Sequence, residues 1–415
     1  MVGAVSLLRV LGGGLHGYGF TIFFLPITNE LGLTRAQTSL AFSLARAEGA
    51  IEGPIIGYLI DRFGPKPIIV TAAALTGIGY ILLSWVNGYL SFLVIYLGVV
   101  SLAFTAGFIQ TPMVVANNWF IRQRARAMTV VAAAVPVGGA LVSPLLAAIV
   151  HAWGWRWGAF LAGCAFLSVC IPLGLLVKRS PESIGLLPDG DPPQETERIG
   201  GRQHKPASTH PLMADVPVAV AMKTFAFWAV TLSIFARVAT HSTIIVHFVP
   251  LLVWKGLTQE AAALVLGTYA FLNLLAHFVL GWIADKMNKP ALLSLWMLFP
   301  IASMFALLWG QTIGSVWAFA ILFCTLDAAF PVSWAIIGDF FGRKHFATIR
   351  GTMTFFYMWG GALGPVTAGY VYDLTATYTS VLWGVIVILS MSAALTGLLI
   401  KPWRNKTLSV RGAPA

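Results

Sequence analysis

The stretch GYLIDRFGPKP, residues 57–67, ends one long apolar run of the chain, and GWIADKMNKP, residues 281–290, ends another. The two stretches share a glycine, an aspartate and a basic residue at one spacing: Gly57 with Gly281, Asp61 with Asp285, and Arg62 with Lys286. The offset of 224 residues is about half of the 415-residue chain. A repeat at this spacing indicates two related halves.

A second pair of motifs supports the repeat. NWFIRQRARA at 118–127, followed by GGALVSP at 138–144, is echoed by DFFGRKHFAT at 339–348 and GGALGP at 360–365. The offsets of 221 to 222 residues agree with that of the first pair. Two independent pairs at nearly one offset predict a duplicated unit.

The composition places both halves in a membrane. Hydrophobic residues make up 58% of the chain and charged residues only 10%, whereas a soluble domain has about 25% charged residues. The mean hydropathy is +0.82. Twelve apolar runs approach or exceed the roughly 20 residues that a spanning helix needs: 6–28, 39–60, 67–86, 91–117, 127–150, 157–177, 224–252, 261–284, 291–310, 314–338, 350–372 and 379–400.

The sequence therefore predicts an all-α membrane protein of twelve transmembrane helices in two pseudo-symmetric six-helix bundles. We place the N-terminal bundle at 1–177 and the C-terminal bundle at 224–400. Residues 178–223, rich in Pro, Gly and charge, are predicted to form a cytoplasmic linker, and 401–415 a cytoplasmic tail. Parallel repeats of this kind are typical of one class of secondary transporter.

The basic residues predict the orientation. With the N-terminus in the cytoplasm, twenty Lys and Arg fall on the linker, the tail and the loops of that side, Arg350 among them. Only Arg35, Arg156 and Lys255 fall on the opposite loops. Because basic loops stay inside, we expect a multi-pass protein of the inner (cell) membrane with both termini cytoplasmic. This asymmetry explains the net charge of +11, so no nucleic-acid partner is predicted.

The first quoted stretch resembles the best-known motif of the major facilitator superfamily, G-x-x-x-D-R-x-G-x-K. Its positions are filled by Gly57, Asp61, Arg62, Gly64 and Lys66. Further stretches look like bacterial transporters of the monocarboxylate and oxalate/formate type: 18–44, PESIGLLPDGD after the sixth run, FAFWAVTLS, HFVPLLVWKGL and GGALGPVTAGYVYDLT.

The resemblance implies alternating access, in which two bundles rock about a central site. It also implies a small organic anion as substrate, with a proton or a counter-anion as its partner. The family's substrate residues do not carry over, because helix 8 offers only Asn273 and His277 and the interior of helix 11 has no Lys or Arg. We expect a monomer in the lipid bilayer, with no cofactor, no metal and no catalytic residues.

Ionisable side chains deep in a bilayer are costly and usually mark a pathway. Arg237 lies roughly 20 Å along helix 7 at 1.5 Å per residue, and His241 follows one turn later. His16 occupies the corresponding place in helix 1. A guanidinium beside imidazoles suits capture of a carboxylate, although Arg237 could instead form a structural pair with Asp327 or a helix-2 glutamate.

Other side chains are predicted to line the same cavity. Asn273 and His277 share one face of helix 8, although a lone membrane His often serves only to bond a neighbouring helix. Tyr18 and Tyr357 are further candidates for the substrate site.

Three carboxylates are candidates for proton coupling. Glu48 and Glu52 share a face of helix 2, and two carboxylates in a low dielectric favour retention of a proton. They could instead pair with Arg46 or Arg237, or pack under Gly53 and Pro54 in a structural role. Asp327, near mid-depth in helix 10, is the third candidate.

The repeated loops are predicted to form a conformational latch. In this family the carboxylate and basic residues of the loop hold helix ends across the bundle interface. We expect helix N-termini, which carry partial positive charge, to bind Asp61, with Asp285 and Lys286 as the weaker second copy. The function predicted is secondary transport of a monocarboxylate by symport or exchange. The alternatives are an exporter of a hydrophobic or drug-like solute and, from another class, a sensor with a transporter fold.

Overall fold

The computed structural model describes residues 1–33, 35–190 and 216–400. Within these ranges every regular element is helical: twelve long helices, numbered α1 to α12, make up the fold, and short helices at Pro181–Ile184, Pro188–Gly190 and Val218–Ala221 lie between α6 and α7. The bounds of the twelve are Val2–Gly12, Gly13–Gly17 and Phe20–Glu30 (α1), Arg35–Phe63 (α2), Pro65–Leu83 (α3), Tyr89–Trp119 (α4), Arg124–Trp153 (α5), Trp155–Leu176 (α6), Phe225–Val246 and Phe248–Trp254 (α7), Gln259–Ala284 (α8), Lys289–Trp309 (α9), Ile313–Phe341 (α10), Phe346–Thr375 (α11) and Thr379–Gly397 (α12).

The twelve predicted spans are all present. The predicted tail, 401–415, and the central part of the predicted linker, 191–215, lie outside the described residues. One boundary differs from the predicted span: α11 begins at Phe346, so Arg350 lies inside a helix and is only 2% exposed. Its assignment to a cytoplasmic loop is therefore wrong.

In the described part of the chain, nine helices are long and apolar enough to cross a membrane by length and composition. The other three are α1, α2 and α11. A π-helical turn at Gly13–Gly17 interrupts α1, and α2 carries several charged residues. Large apolar side chains such as Leu264, Trp309 and Val366 are about 70% exposed on the outside of the fold, as expected for surfaces that face lipid.

The helices form two bundles, α1–α6 and α7–α12, which contact each other mainly through α2 with α11 and through α5 with α8 and α10. We call the end of the bundles at which α6 ends and α7 begins the linker end. Because the helices alternate in direction, the start of α1 and the end of α12 also lie there.

The turn between α2 and α3 explains one glycine of the motif. Gly64 has φ 86°, a region that side chains disfavour, and it directly precedes α3. The second copy is built differently, because Asn288 has an ordinary φ of −62° and its side chain caps the Ala291 N–H of α9 at 3.1 Å.

Candidate functional site

At the linker end, two aspartates bind the first turns of helices in the opposite bundle. Asp61 of α2 accepts hydrogen bonds from the N–H groups of Ala347 (3.2 Å) and Thr348 (2.8 Å) at the start of α11. Asp285, directly after α8, accepts from the N–H groups of Ala125 (2.9 Å) and Arg126 (3.0 Å) at the start of α5. The predicted partner, a helix N-terminus, is present in both copies.

The basic residues of the predicted latch do not cross the interface in the same way. Arg62 donates to Tyr58 of its own helix at 3.0 Å, and Lys286, just beyond the end of α8, lies over the ring of Trp282 in that helix. Lys66 is half-buried in the first turn of α3.

Other basic residues connect the bundles at this end. Arg124 of α5 forms an ion pair with Asp339 of α10 at 2.6 Å, and Lys289 contacts the other oxygen of Asp339 at 2.8 Å. Arg343 donates to the Asn118 carbonyl and forms an ion pair with Glu182 at 2.8 Å. The repeated 118–127 and 339–348 motifs contained the signal for these contacts, which sequence reasoning did not use.

The PESIGLLPDGD stretch binds to the same end. Asp189 accepts hydrogen bonds from three consecutive N–H groups that precede α5, those of Ile121, Arg122 and Gln123, at 2.9 to 3.1 Å. Burial alone would raise the pKa of Glu182, but hydrogen bonds from Arg343 and Ser180 outweigh it and lower the pKa. This part of the linker therefore joins the two bundles rather than lying free.

The most connected polar cluster deep in the second bundle surrounds Asp327. One oxygen of Asp327 accepts from Tyr269 and from Asn273, both at 3.2 Å. The other lies 3.2 Å from Nδ1 of His241, an ion-pair distance without hydrogen-bond alignment. At 1.5 Å per residue, Asp327 and His241 lie roughly 21 and 24 Å from the linker end. We call the set of Asp327, Tyr269, Asn273 and His241 the Asp327 cluster.

The cluster is partly accessible. The side chains of His241 and Asp327 are 32% and 18% exposed. Tyr18, on α1 of the other bundle, is 49% exposed and interacts electrostatically with Asp327. Three predicted substrate residues, Tyr18, His241 and Asn273, thus lie around a carboxylate predicted to carry a proton. Tyr269, which sequence reasoning missed, has no distinguishing signal in the sequence.

Arg237 lies in a different environment. It is 1% exposed, and it donates to the carbonyls of Ser233 and Ala329, both at 3.2 Å. Its guanidinium lies over the Phe330 ring at 5.6 Å, and its Nη2 has no partner among the described residues. The alternative of a structural pair between Arg237 and Asp327 does not appear in the structure.

The histidines and Tyr357 have identifiable partners. His16 contacts the Tyr80 hydroxyl at 2.9 Å within the first bundle, and His277 donates through Nδ1 to the Asn273 carbonyl at 2.8 Å. Tyr357 is 7% exposed, and its hydroxyl accepts from Thr354 at 3.0 Å.

The two helix-2 glutamates face α4. Glu48 lies near Ser101 and Glu52 near Thr105. Both oxygens of Glu52, which is 6% exposed, lack a partner with hydrogen-bond geometry among the described residues. α4 contains π-helical turns at Tyr96–Ser101 and Thr105–Gln110 beside them, a feature frequent at functional sites. The side chain of Arg46, their alternative partner, lies outside the described part.

A third polar group consists of two buried basic residues, one in each bundle, that the sequence patterns did not predict as a site. Arg9 of α1 and Arg350 of α11 belong to opposite bundles and are 8% and 2% exposed. Arg350 donates to the carbonyl and the side-chain oxygen of Gln110 in α4, both at 3.2 Å, and lies over the Trp334 ring at 4.6 Å. The signal for Arg9 was its position inside an apolar run.

The family model described as Major Facilitator Superfamily matches residues 10–365. The chain is 25% identical to monocarboxylate transporter 13 of Rattus norvegicus over 378 residues, 89% of this chain and 80% of that protein. It is 24% identical to monocarboxylate transporter 4 of the same species over 371 residues, 86% of this chain and 74% of that one.

Solved structures share the fold. FucP, a Major Facilitator Superfamily transporter in the outward conformation, superposes with a TM-score of 0.70 at 13% identity, covering 96% of this chain and 98% of that one. The human organic anion transporter MFSD10 (TETRAN) gives 0.64 at 14% identity, again covering 96% and 98%.

Proposed function

Because this chain belongs to the major facilitator superfamily, it is a transporter and not an enzyme, and we propose that its substrate is a small organic anion, specifically a monocarboxylate. The observation that carries the proposal is the similarity to monocarboxylate transporters along most of both chains. The proposed location is the inner (plasma) membrane, with the linker end and both termini in the cytoplasm and the protein acting as a monomer.

The proposed centre of transport is the Asp327 cluster, near mid-depth and partly accessible. Asp327 is the proposed proton carrier. Protonation removes the charge that holds His241, whose ring nitrogens then become available to a substrate carboxylate. Tyr18 and Asn273 supply a hydroxyl and an amide within reach of the same region. Alternating exposure of such a site is the mechanism of secondary transporters with repeated bundles.

The other predicted residues take secondary parts in this proposal. Glu52 is a second candidate for proton binding, because a buried carboxylate without partners is far more stable when neutral, and Glu48 lies one turn away. Arg237 is fully packed in this conformation, so we propose that it positions α10 and the Asp327 cluster. His16, His277 and Tyr357 retain their proposed places in the lining of the site.

Asp61 and Asp285 form the proposed latch. Each carboxylate binds a helix N-terminus of the opposite bundle, where the helix dipole stabilises negative charge. Separation of the bundles at the linker end breaks both sets of hydrogen bonds together. The conformation described here has these bonds formed, so the linker end is closed.

The test is uptake of labelled lactate, pyruvate, formate and oxalate into proteoliposomes, with and without an inward proton gradient. We expect gradient-stimulated uptake of at least one monocarboxylate. Asp327→Asn should lower gradient-driven uptake at least tenfold while exchange of internal for external substrate persists, because exchange needs no net proton movement. Asp373→Asn, an exposed carboxylate of α11, is the matched control. Absence of uptake of every carboxylate would reject the substrate class.

A further inference from the structure

We propose that Arg9 and Arg350 form a carboxylate-binding subsite between the two bundles, and that an anion bound there stabilises closure of the linker end. The proposal deepens the proposed function, on which its choice of ligand rests. It assigns a coupling role to residues outside both the latch and the Asp327 cluster.

The burial of the two guanidinium groups is the first observation. Arg9 and Arg350 are each more than nine-tenths buried. Nε and Nη1 of Arg9 and Nε of Arg350 have no hydrogen-bond partner among the described residues. Buried charges are normally paired, because an unpaired charge or donor away from water is costly. These donors therefore point to a ligand that carries negative charge.

The placement of the pair is the second observation. Arg9 belongs to the first bundle and Arg350 to the second, and the charge of Arg350 acts on that of Arg9 through space. His277 of α8 interacts electrostatically with Arg9 and with Asp327. At 1.5 Å per residue, Arg9 and His277 both lie roughly 10 Å from the linker end. The basic layer thus lies between the latch and the Asp327 cluster.

The packing beside the pair makes the subsite sensitive to closure. Gly53 of α2 and Gly351 of α11 meet backbone to backbone: an added Cβ on Gly351 would lie 2.0 Å from the Gly53 carbonyl. The contact of Arg350 with Gln110 also crosses between the bundles. Closure therefore brings two like charges together in a low-dielectric region, where repulsion is strong.

A carboxylate resolves this repulsion. Its two oxygens accept paired N–H groups from a guanidinium fork, and one anion between Arg9 and Arg350 contacts both bundles at once. Without the anion, repulsion favours separation of the linker end. With the anion bound, the same residues hold the linker end closed. Binding of substrate therefore shifts the conformational equilibrium towards the form that is closed at the linker end, which couples binding to the change of conformation.

The experiment measures closure directly in the purified full-length protein. Leu176, the last residue of α6, and Leu398, directly after α12, are 59% and 65% exposed at the linker end. Spin labels at Leu176→Cys and Leu398→Cys, with the native cysteines replaced, report the distance between the bundles. We expect sodium lactate to increase the short-distance population at a half-saturating concentration at least tenfold below that of sodium chloride.

Arg9→Gln provides the decisive variant, because Arg9 makes no hydrogen bond within the described chain that the change would remove. We expect its closed population without lactate to rise, since the repulsion is gone, and its half-saturating lactate concentration to increase at least tenfold. Simple structural damage would lower the closed population instead. Arg9→Lys, which keeps the charge but not the fork, should give an intermediate affinity, and Lys223→Gln, at an exposed basic residue of the linker end outside the latch, is the matched control.

Three results would overturn the proposal: no effect of lactate on the distance in the unmodified protein, an equal effect of chloride, or an unchanged lactate response in Arg9→Gln. The outcome is separable from the proposed function. Lactate-dependent closure without uptake would reject transport of that substrate and keep the subsite, whereas carboxylate uptake with unchanged closure would reject the subsite alone.

Discussion

Asp61 and Thr348 belong to opposite bundles, and the Asp61 carboxylate accepts hydrogen bonds from both the Thr348 N–H (2.8 Å) and its hydroxyl (2.6 Å). The repeat places Asp285 against Ala125 and Arg126 in the same relationship. Each half of the chain therefore supplies one carboxylate and one helix start. The interface between the bundles is therefore closed at the linker end by two equivalent contacts. In each of them, an aspartate of one bundle binds the start of a helix in the other.

The first prediction concerns this reciprocity. Asp61→Asn removes the charge that binds the start of α11, and we expect it to lower the closed population at the linker end several-fold, because charge-assisted bonds are roughly twice as strong as neutral ones. Asp285→Asn should have a smaller effect, since its partners include no hydroxyl. The distance between labels at positions 176 and 398 measures both. Equal closed populations in Asp61→Asn and in the control Asp373→Asn would contradict the latch.

The second prediction concerns the close approach of α2 and α11. A Cβ added to Gly57 would lie 2.3 Å from the Ala347 carbonyl, and a backbone atom of a helix cannot move aside cheaply. We expect Gly57→Ala to destabilise the closed form by about 1–3 kcal/mol, the usual cost of overpacking.

Thermal melting in detergent, together with the label distance, checks this second prediction. Gly384→Ala is the control, because an added Cβ there meets nothing within 4 Å. A Gly57→Ala protein that melts and closes like Gly384→Ala would show that the contact is not tight in solution.

The fold was predictable because it depends on properties that accumulate along the chain. The apolar runs and the repeat offset gave all twelve helices, and the loop motif gave the two aspartates that cross the interface. Arg350 was misplaced because a charge near a helix end is ambiguous in sequence. The residues before a basic residue in a loop resemble those before a basic residue buried in the first turns of a helix, so the sequence alone does not separate the two cases.

The site was predicted less completely, since it depends on which helix faces meet. Asp327, His241 and Asn273 were selected as charged or polar residues at mid-depth, and the structure brings them together. Tyr269 completes the cluster, but a tyrosine in an apolar run gives no such signal. Arg237 and His241, one turn apart, were expected to bind substrate together. In the structure, Arg237 donates to the Ala329 carbonyl, whereas His241 lies beside Asp327.

The third prediction is a pH dependence of closure. Hydrogen bonds from Arg343 lower the pKa of Glu182 below its ordinary value of 4.5. The stabilisation from this pair is therefore fully present above pH 4.5 and is lost as the pH falls through the lowered pKa. A partly exposed ion pair contributes about 0.2–1 kcal/mol, so the expected loss of closed population is modest.

The label distance should be recorded from pH 7 to pH 3.5 for the unmodified protein and for Glu182→Gln. The other carboxylates of the interface titrate in both proteins, so the difference between the two curves isolates Glu182. We expect the curves to differ at pH 7 and to converge at the acid end. Parallel curves over the whole range would exclude a role for the Glu182–Arg343 pair.

The fourth prediction concerns the end of the first bundle opposite the linker. Arg156, at the start of α6, donates through Nε to Glu30 (2.7 Å), through Nη1 to the Ser84 carbonyl (2.6 Å) and through Nη2 to the Val86 carbonyl (2.8 Å). The guanidinium fork thus ties α6 to the end of α1 and to the chain between α3 and α4. A lysine ammonium is a single point of charge and cannot reproduce this geometry.

We therefore expect Arg156→Lys to lower the stability of the protein by about 1–3 kcal/mol, since a partly exposed hydrogen bond contributes about 0.5–1.5 kcal/mol net and two of the three should be lost. Arg62→Lys, at an exposed arginine with a bond only to its own helix, should melt like the unmodified protein. Because the fork lies within one bundle, Arg156→Lys should lower the melting temperature without changing the closed population at the linker end. A change in the label distance with an unchanged melting temperature would mean that Arg156 acts on the bundle interface instead.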